Sequence, residues 1–166
     1  AAIALRAVVR AALRFAAAHP GKRLLVVGHA VSAGSARDNL ELSERRARNI
    51  ERYRAGDREG WAGQAQEFGE ADDLQTVLRW LAVHHAWPCD PGPVDGIFGV
   101  RSRAALDGFR RVSRAAGCSA GEVGSPPGVE DWAGFFDAYD RVLACSLACT
   151  CEQLAEHRAH LTFMAP

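Results

Sequence analysis

The stretch "DPGPVDGIFGVRSRAALDGFRR", Asp90–Arg111, leaves its backbone few choices. Two prolines and three glycines fall within Asp90–Gly99, so neither a helix nor a central strand runs through them. Asp95 can accept backbone N–H groups and Gly96 permits positive φ, a pairing that describes a tight turn. From Val100 the pattern changes. Leu106, Phe109 and Val112 recur at helical spacing and give one apolar face. Before the turn, "DLQTVLRWLAVHHAW" carries Leu74, Val77, Leu78 and Leu81 at i, i+3, i+4 and i+7, with Asp72 as the expected cap. Two amphipathic helices joined this way bury their faces together. Trp80, Ile97, Phe98, Leu106, Phe109, Trp132 and Phe135 are the expected core, with Ile97 and Phe98 filling the gap between helices.

The rest of the chain follows the same punctuation. Arg6, Arg10 and Arg14 lie at i, i+4 and i+8 in an alanine-rich opening, which predicts an amphipathic helix ended by His19–Gly21. "RLLVV", Arg23–Val27, reads as a buried strand, Gly28–Asn39 as a loop, and about Glu41–Ala55 as a helix with Leu42, Ala47, Ile50 and Tyr53 inward. Asp57 caps a short helix, "REGWAGQAQEF". "VEDWAGFFDAYDRVLA" is a further helix and the tail from Cys145 another. "GVRSRAALDGF" and "GVEDWAGFFDA" align without gaps, which suggests two helical half-units. The expected fold class is α+β and predominantly helical. Its units are residues 1–68 with one clear strand, a helical bundle over 69–144, and a helical tail over 145–166.

Charge excludes some functions. Lys+Arg and Asp+Glu are 20 each, so no global field draws the chain to nucleic acid or anionic lipid. No apolar run reaches the roughly 18 residues of a membrane span. Five cysteines leave no complete disulfide framework. Cys145, Cys149 and Cys151 precede His157 and His160, a set whose chemistry suits zinc, but the spacing matches no usual finger. The alternative is small apolar residues on a helix face, and the expectation is no metal and no cofactor. His84 and His85 close a helix, where the dipole favours their charge. No metalloprotease helix or Gly-x-Ser-x-Gly elbow is present, so no catalytic residue is assigned.

Two stretches carry a resemblance. Asp95, Gly96, Ile97, Phe98 and Gly99, then Ser102 and Phe109–Arg110, resemble the helical peptidoglycan-binding domain of bacterial wall hydrolases over about residues 74–144. That family has an Asp-Gly-x-x-Gly turn, a threonine where Ser102 stands, and Phe-Gln where Phe109–Arg110 stand. Gly28, His29, Gly34, Asn39, Leu42, Ser43, Arg46 and Ala47 keep the spacing of the OmpA-like peptidoglycan-associated domain, whose pattern is matched over about residues 3–55. In that family a loop aspartate and the helix arginine grip the zwitterionic end of diaminopimelate. Arg46 stands at the arginine position and Val31 at the aspartate position, with Asp38 nearby in sequence.

The resemblance implies a non-catalytic protein of the bacterial cell envelope, periplasmic or outer-membrane associated, that docks on the stem peptide of peptidoglycan. Gly28, His29, Asn39, Ser43 and Arg46 would form the binding site, and Asp95, Gly96 and Gly99 the turn of the helical module. The helical module would interrupt the OmpA-like part, whose remainder is expected beyond Pro166 or lost. The alternatives are a structural adaptor with decayed sites, or the non-catalytic part of a wall hydrolase.

Overall fold

The computed structural model describes residues 11–12, 14–15, 18–19, 22–24, 35–159 and 162–163. Six helices carry the described chain: α1 (Ala36–Ala55), α2 (Arg58–Phe68), α3 (Ala71–His85), α4 (Val100–Ala115), α5 (Val129–Leu147) and α6 (Cys151–Ala159). The β structure among the described residues is one parallel pairing of two-residue segments, Arg23–Leu24 (β1) with Thr162–Phe163 (β2). The expected α/β part with a clear strand is therefore not seen among the described residues; of the expected Arg23–Val27 strand, Leu25–Val27 lie outside them. Among the described residues the fold is held together by helix packing.

Local chemistry explains the helix ends. Ser35 caps α1 by accepting from Asp38 N at 3.1 Å, and Gly56 closes it at φ 75. The helix thus starts earlier than the spacing suggests, and Asn39 sits inside it rather than in a loop. Asp57 caps α2 through Gly60 N at 2.9 Å, as its position predicts. The N-cap position of α3 is Glu70, whose N donates to Asp73 Oδ2 at 3.1 Å, while Asp72 Oδ1 accepts from Asp73 N at 3.0 Å. A full capping box satisfies two orphan donors reciprocally. Thr150 opens α6 in the same reciprocal way with Gln153.

One apolar cluster joins these helices. Tyr53 of α1 and Trp61 of α2 share it with Leu78, Trp80, Leu106, Phe109, Trp132, Phe135, Phe136 and Tyr139. Trp61 meets Trp132, Phe136 and Tyr139 edge-on at 5.8–6.3 Å between ring centroids, a geometry that adds to plain burial. Asn49 accepts the Trp61 indole N–H at 2.8 Å, so the ring is buried without an orphan donor. Between α2 and α5 lies a forked ion pair, Arg58 to Asp137, at 2.7 and 3.0 Å.

The expected core is mostly found. Trp80, Leu106, Phe109, Trp132 and Phe135 are buried. Phe98 is only half-buried against the cluster. Ile97 departs from expectation: it is 69% exposed. The space it was to fill is occupied by Gln75, which is 1% exposed and tied to the turn. In the two-helix echo, Leu106 and Phe135 are both buried, whereas Ala104 is exposed and Ala133 buried.

Candidate functional site

Three residues of the OmpA-like resemblance lie on α1. Asn39, Ser43 and Arg46 stand at i, i+4 and i+7, one helical face. Asn39 and Ser43 are half-buried and Arg46 is exposed. Ser43 Oγ donates to Asn39 O at 2.8 Å, so its hydrogen is spent inside the helix and its lone pairs remain for a ligand. Because α1 begins at Ala36, Arg46 lies ten residues from the helix start, about 15 Å along the axis at the α-helical rise. The helix start and the Arg46 guanidinium are thus separate features along α1. Asp38 is in that first turn, away from Arg46. Gly28, His29 and Val31 lie outside the described residues.

The second constellation is the turn before α4. Gly96 has φ 72, the left-handed backbone that only glycine adopts freely. Asp95 Oδ1 accepts from Ile97 N and from Gln75 Nε2, both at 2.9 Å. Gln75 Oε1 in turn accepts from Asp95 N at 3.1 Å and Gly96 N at 3.0 Å. Its Nε2 also meets Ser102 Oγ at 3.0 Å and Ile97 O at 3.1 Å. One buried amide from α3 thus holds the whole turn and the first turn of α4. These bonds hold the Asp95 carboxyl below the usual carboxylate range, the Gln75 donor contributing most and the Ile97 N–H next. Gly99 is the N-cap residue of α4, in extended backbone. Around the turn, Val94, Ile97 and Val100 form an apolar rim, 42%, 69% and 79% exposed.

Arg110 stands where the family pattern has glutamine, and the structure makes it architectural. It is fully buried, and each of its five N–H groups has an acceptor: Asp131 twice, Asp107, Ser125 O and Pro126 O. Asp131 in addition accepts Gly121 N and Gly128 N, both at 3.0 Å. This pair ties α4, α5 and the loop between them.

A polar groove of about 600 Å³ runs between α1 and α2, bordered by Arg45, Arg48, Arg52, Gln64, Glu41 and Phe68. Arg52 donates to Gly60 O and Gln64 Oε1 at 2.8 and 2.9 Å, and Arg45 lies 4.5 Å over the Phe68 ring. Among the described residues no three of His, Cys, Asp and Glu converge as a metal would need, and no helix is long and apolar enough to cross a membrane.

Sequence reasoning picked out Asp95 and Gly96 but missed Gln75 and Asp131, which organise them and Arg110. The one available signal was a glutamine inside the apolar run Leu74–Leu81, because a polar residue flanked by core positions needs partners. No family model, curated protein or solved structure matches the chain.

Proposed function

We propose that the protein is a non-catalytic component of the bacterial cell envelope that docks on peptidoglycan through the stem peptide. The observation that supports this reading best is the alignment of Asn39, Ser43 and Arg46 on one face of α1, with the Arg46 side chain exposed. A guanidinium fork recognises a carboxylate in two parallel bonds, and an amide and a hydroxyl beside it suit a peptide backbone. The resemblance of Asp95–Gly99 and the helix after it to the peptidoglycan-binding module adds a second, independent link to the same polymer. There the exposed rim of Val94, Ile97 and Val100 offers apolar contact beside a structured polar turn.

Co-sedimentation with insoluble sacculi tests the reading. The chain should pellet with sacculi, Arg46→Ala should lower the bound fraction at least tenfold, and Ile97→Asp should lower it if the turn contributes. Retention of Arg46→Ala and Ile97→Asp at the level of the unchanged chain would exclude both surfaces.

A structural adaptor is the second reading, and Arg110 favours it. A side chain with every donor used internally offers nothing to a glycan. On that reading the turn motif specifies packing alone, and the unchanged chain fails to pellet with sacculi.

A further inference from the structure

The groove between α1 and α2 lies on a different stripe of α1 from Asn39, Ser43 and Arg46. Its two walls run antiparallel. Arg52 reaches Gly60 O and Gln64 Oε1. Asn49 accepts from the Trp61 indole. Arg45 O accepts from Gln64 Nε2 at 2.9 Å, and the Arg45 guanidinium covers the Phe68 ring. Falling numbers on α1 thus face rising numbers on α2. This register sorts the groove's charges by end. Glu41 and Glu44, early in α1, share one end with Glu67, late in α2. Arg48 and Arg52 lie toward the other end, opposite the Gly60–Gln64 segment.

The three arginines differ in what they already hold. Arg52 is committed to Gly60 O, Gln64 and Asp57, and Arg45 to Phe68. Arg48, between them in sequence, is exposed and has no hydrogen bond or ion pair with any described residue. Glu41, Glu44 and Glu67 are exposed and equally unpaired. Glu44 precedes Arg48 by four residues, but an exposed pair of that kind is weak and yields to a ligand. A second observation comes from the opposite wall. Gly63 stands inside α2, where glycine weakens a helix relative to alanine. At Gly108 and Gly134 an added Cβ would strike a backbone oxygen, so packing explains the glycine. At Gly63 an added Cβ would meet nothing within 4 Å. No packing contact calls for a glycine there, and its bare backbone borders the groove. Close approach of a ligand to the backbone is a use that glycine serves.

We propose that this groove binds a short peptide by its two free ends. The C-terminal carboxylate meets the Arg48 guanidinium, whose fork matches it in two parallel bonds. The α-ammonium lies at the end bordered by Glu41, Glu44 and Glu67. The peptide backbone passes along the open wall at Gly63. Spacing sets the length. Arg48 follows Glu41 by seven residues of α1, about 10 Å along the axis at the helical rise. Three extended peptide residues, at roughly 3.3–3.6 Å each, cover that span. A lone amino acid is too short to reach both ends. A simple anion uses one end and leaves the carboxylates idle. The site stands independently of docking on peptidoglycan through Arg46.

The test is an NMR titration of the full chain, isotopically labelled, with trialanine, N-acetyl-trialanine, trialanine amide and inorganic phosphate. Trialanine should shift the amide resonances of Arg48 and Gly63 and saturate. Each blocked peptide, and phosphate, should bind about tenfold more weakly or worse, since each loses one charged contact. Arg48→Ala should weaken trialanine and N-acetyl-trialanine but not trialanine amide, which has no carboxylate to lose. Gly63→Leu fills the open wall and should abolish binding, with Tm unchanged or raised. Arg46→Ala should leave trialanine binding intact, which separates this site from the peptidoglycan reading. No shift along α1 and α2 at millimolar trialanine would overturn the proposal. So would equal affinity for all four probes, or a fall in Tm for Gly63→Leu with binding retained.

Discussion

Removal of the Asp131 carboxylate, as in Asp131→Ala, should be among the most damaging single changes to this fold. The side chains of Arg110 and Asp131 are 1% and 0% exposed and meet at 2.7 Å. Truncation strips Arg110 of two acceptors and leaves its buried cation with Asp107 and two carbonyls alone. The N–H groups of Gly121 and Gly128 lose their acceptor as well. Breaking one side of a buried pair costs about 3–5 kcal/mol, a large share of the roughly 5–15 kcal/mol that holds a domain together. For a chain of this size each kcal/mol moves Tm by about 2–4 °C, so a fall on the order of 10 °C is expected. Urea unfolding read by tryptophan fluorescence gives the free energy directly, because Trp61, Trp80 and Trp132 are buried and Trp87 packs against the same cluster. The double change Arg110→Met with Asp131→Leu should lose less than Asp131→Ala, since it removes the stranded charge. A loss below about 1 kcal/mol for Asp131→Ala, with an unchanged denaturant slope, would refute the account.

Gly108→Ala should destabilise by about 1–3 kcal/mol, because a Cβ there would meet Pro88 O at 1.9 Å; thermal unfolding measures it. Phe98→Ala should cost about 1–2 kcal/mol rather than the roughly 3–5 of a fully packed phenylalanine, since Phe98 is only half-buried. Asp95 has a folded-state pKa below its unfolded value. Its contribution to stability is therefore complete above the unfolded carboxylate pKa and is lost as pH falls through the lower folded pKa. Carboxyl NMR titration should show that depressed value in the unchanged chain, and a return toward the ordinary range in Gln75→Ala.

Much of the helical framework was legible in the residues themselves. Leu74, Val77, Leu78 and Leu81 mark the buried side of α3, Asp57 marks the start of α2, and Asp95–Gly96 mark the turn. Each of these depends on neighbours a few residues away, which periodicity and capping chemistry read directly. The misreadings share a different cause. Ile97 was assigned inward by hydrophobicity, yet it is Gln75, distant in sequence, that is buried beneath the turn, where its amide meets Asp95 N, Gly96 N and Ile97 O together. "RLLVV" carries a strand's composition; its described residues, Arg23 and Leu24, pair in parallel with Thr162–Phe163, a partner far away in sequence that periodicity cannot supply, and Leu25–Val27 lie outside the described residues. The role of Arg110 was equally hidden. A charged residue on a helix face reads as solvent-exposed until Asp131, with two loop carbonyls, arrives from the far side of the fold to satisfy it. Short-range chemistry decided where helices begin and which stripe is apolar. Only the tertiary structure could decide which polar groups lie inside, because a buried donor is tolerated only where remote parts of the chain bring it an acceptor.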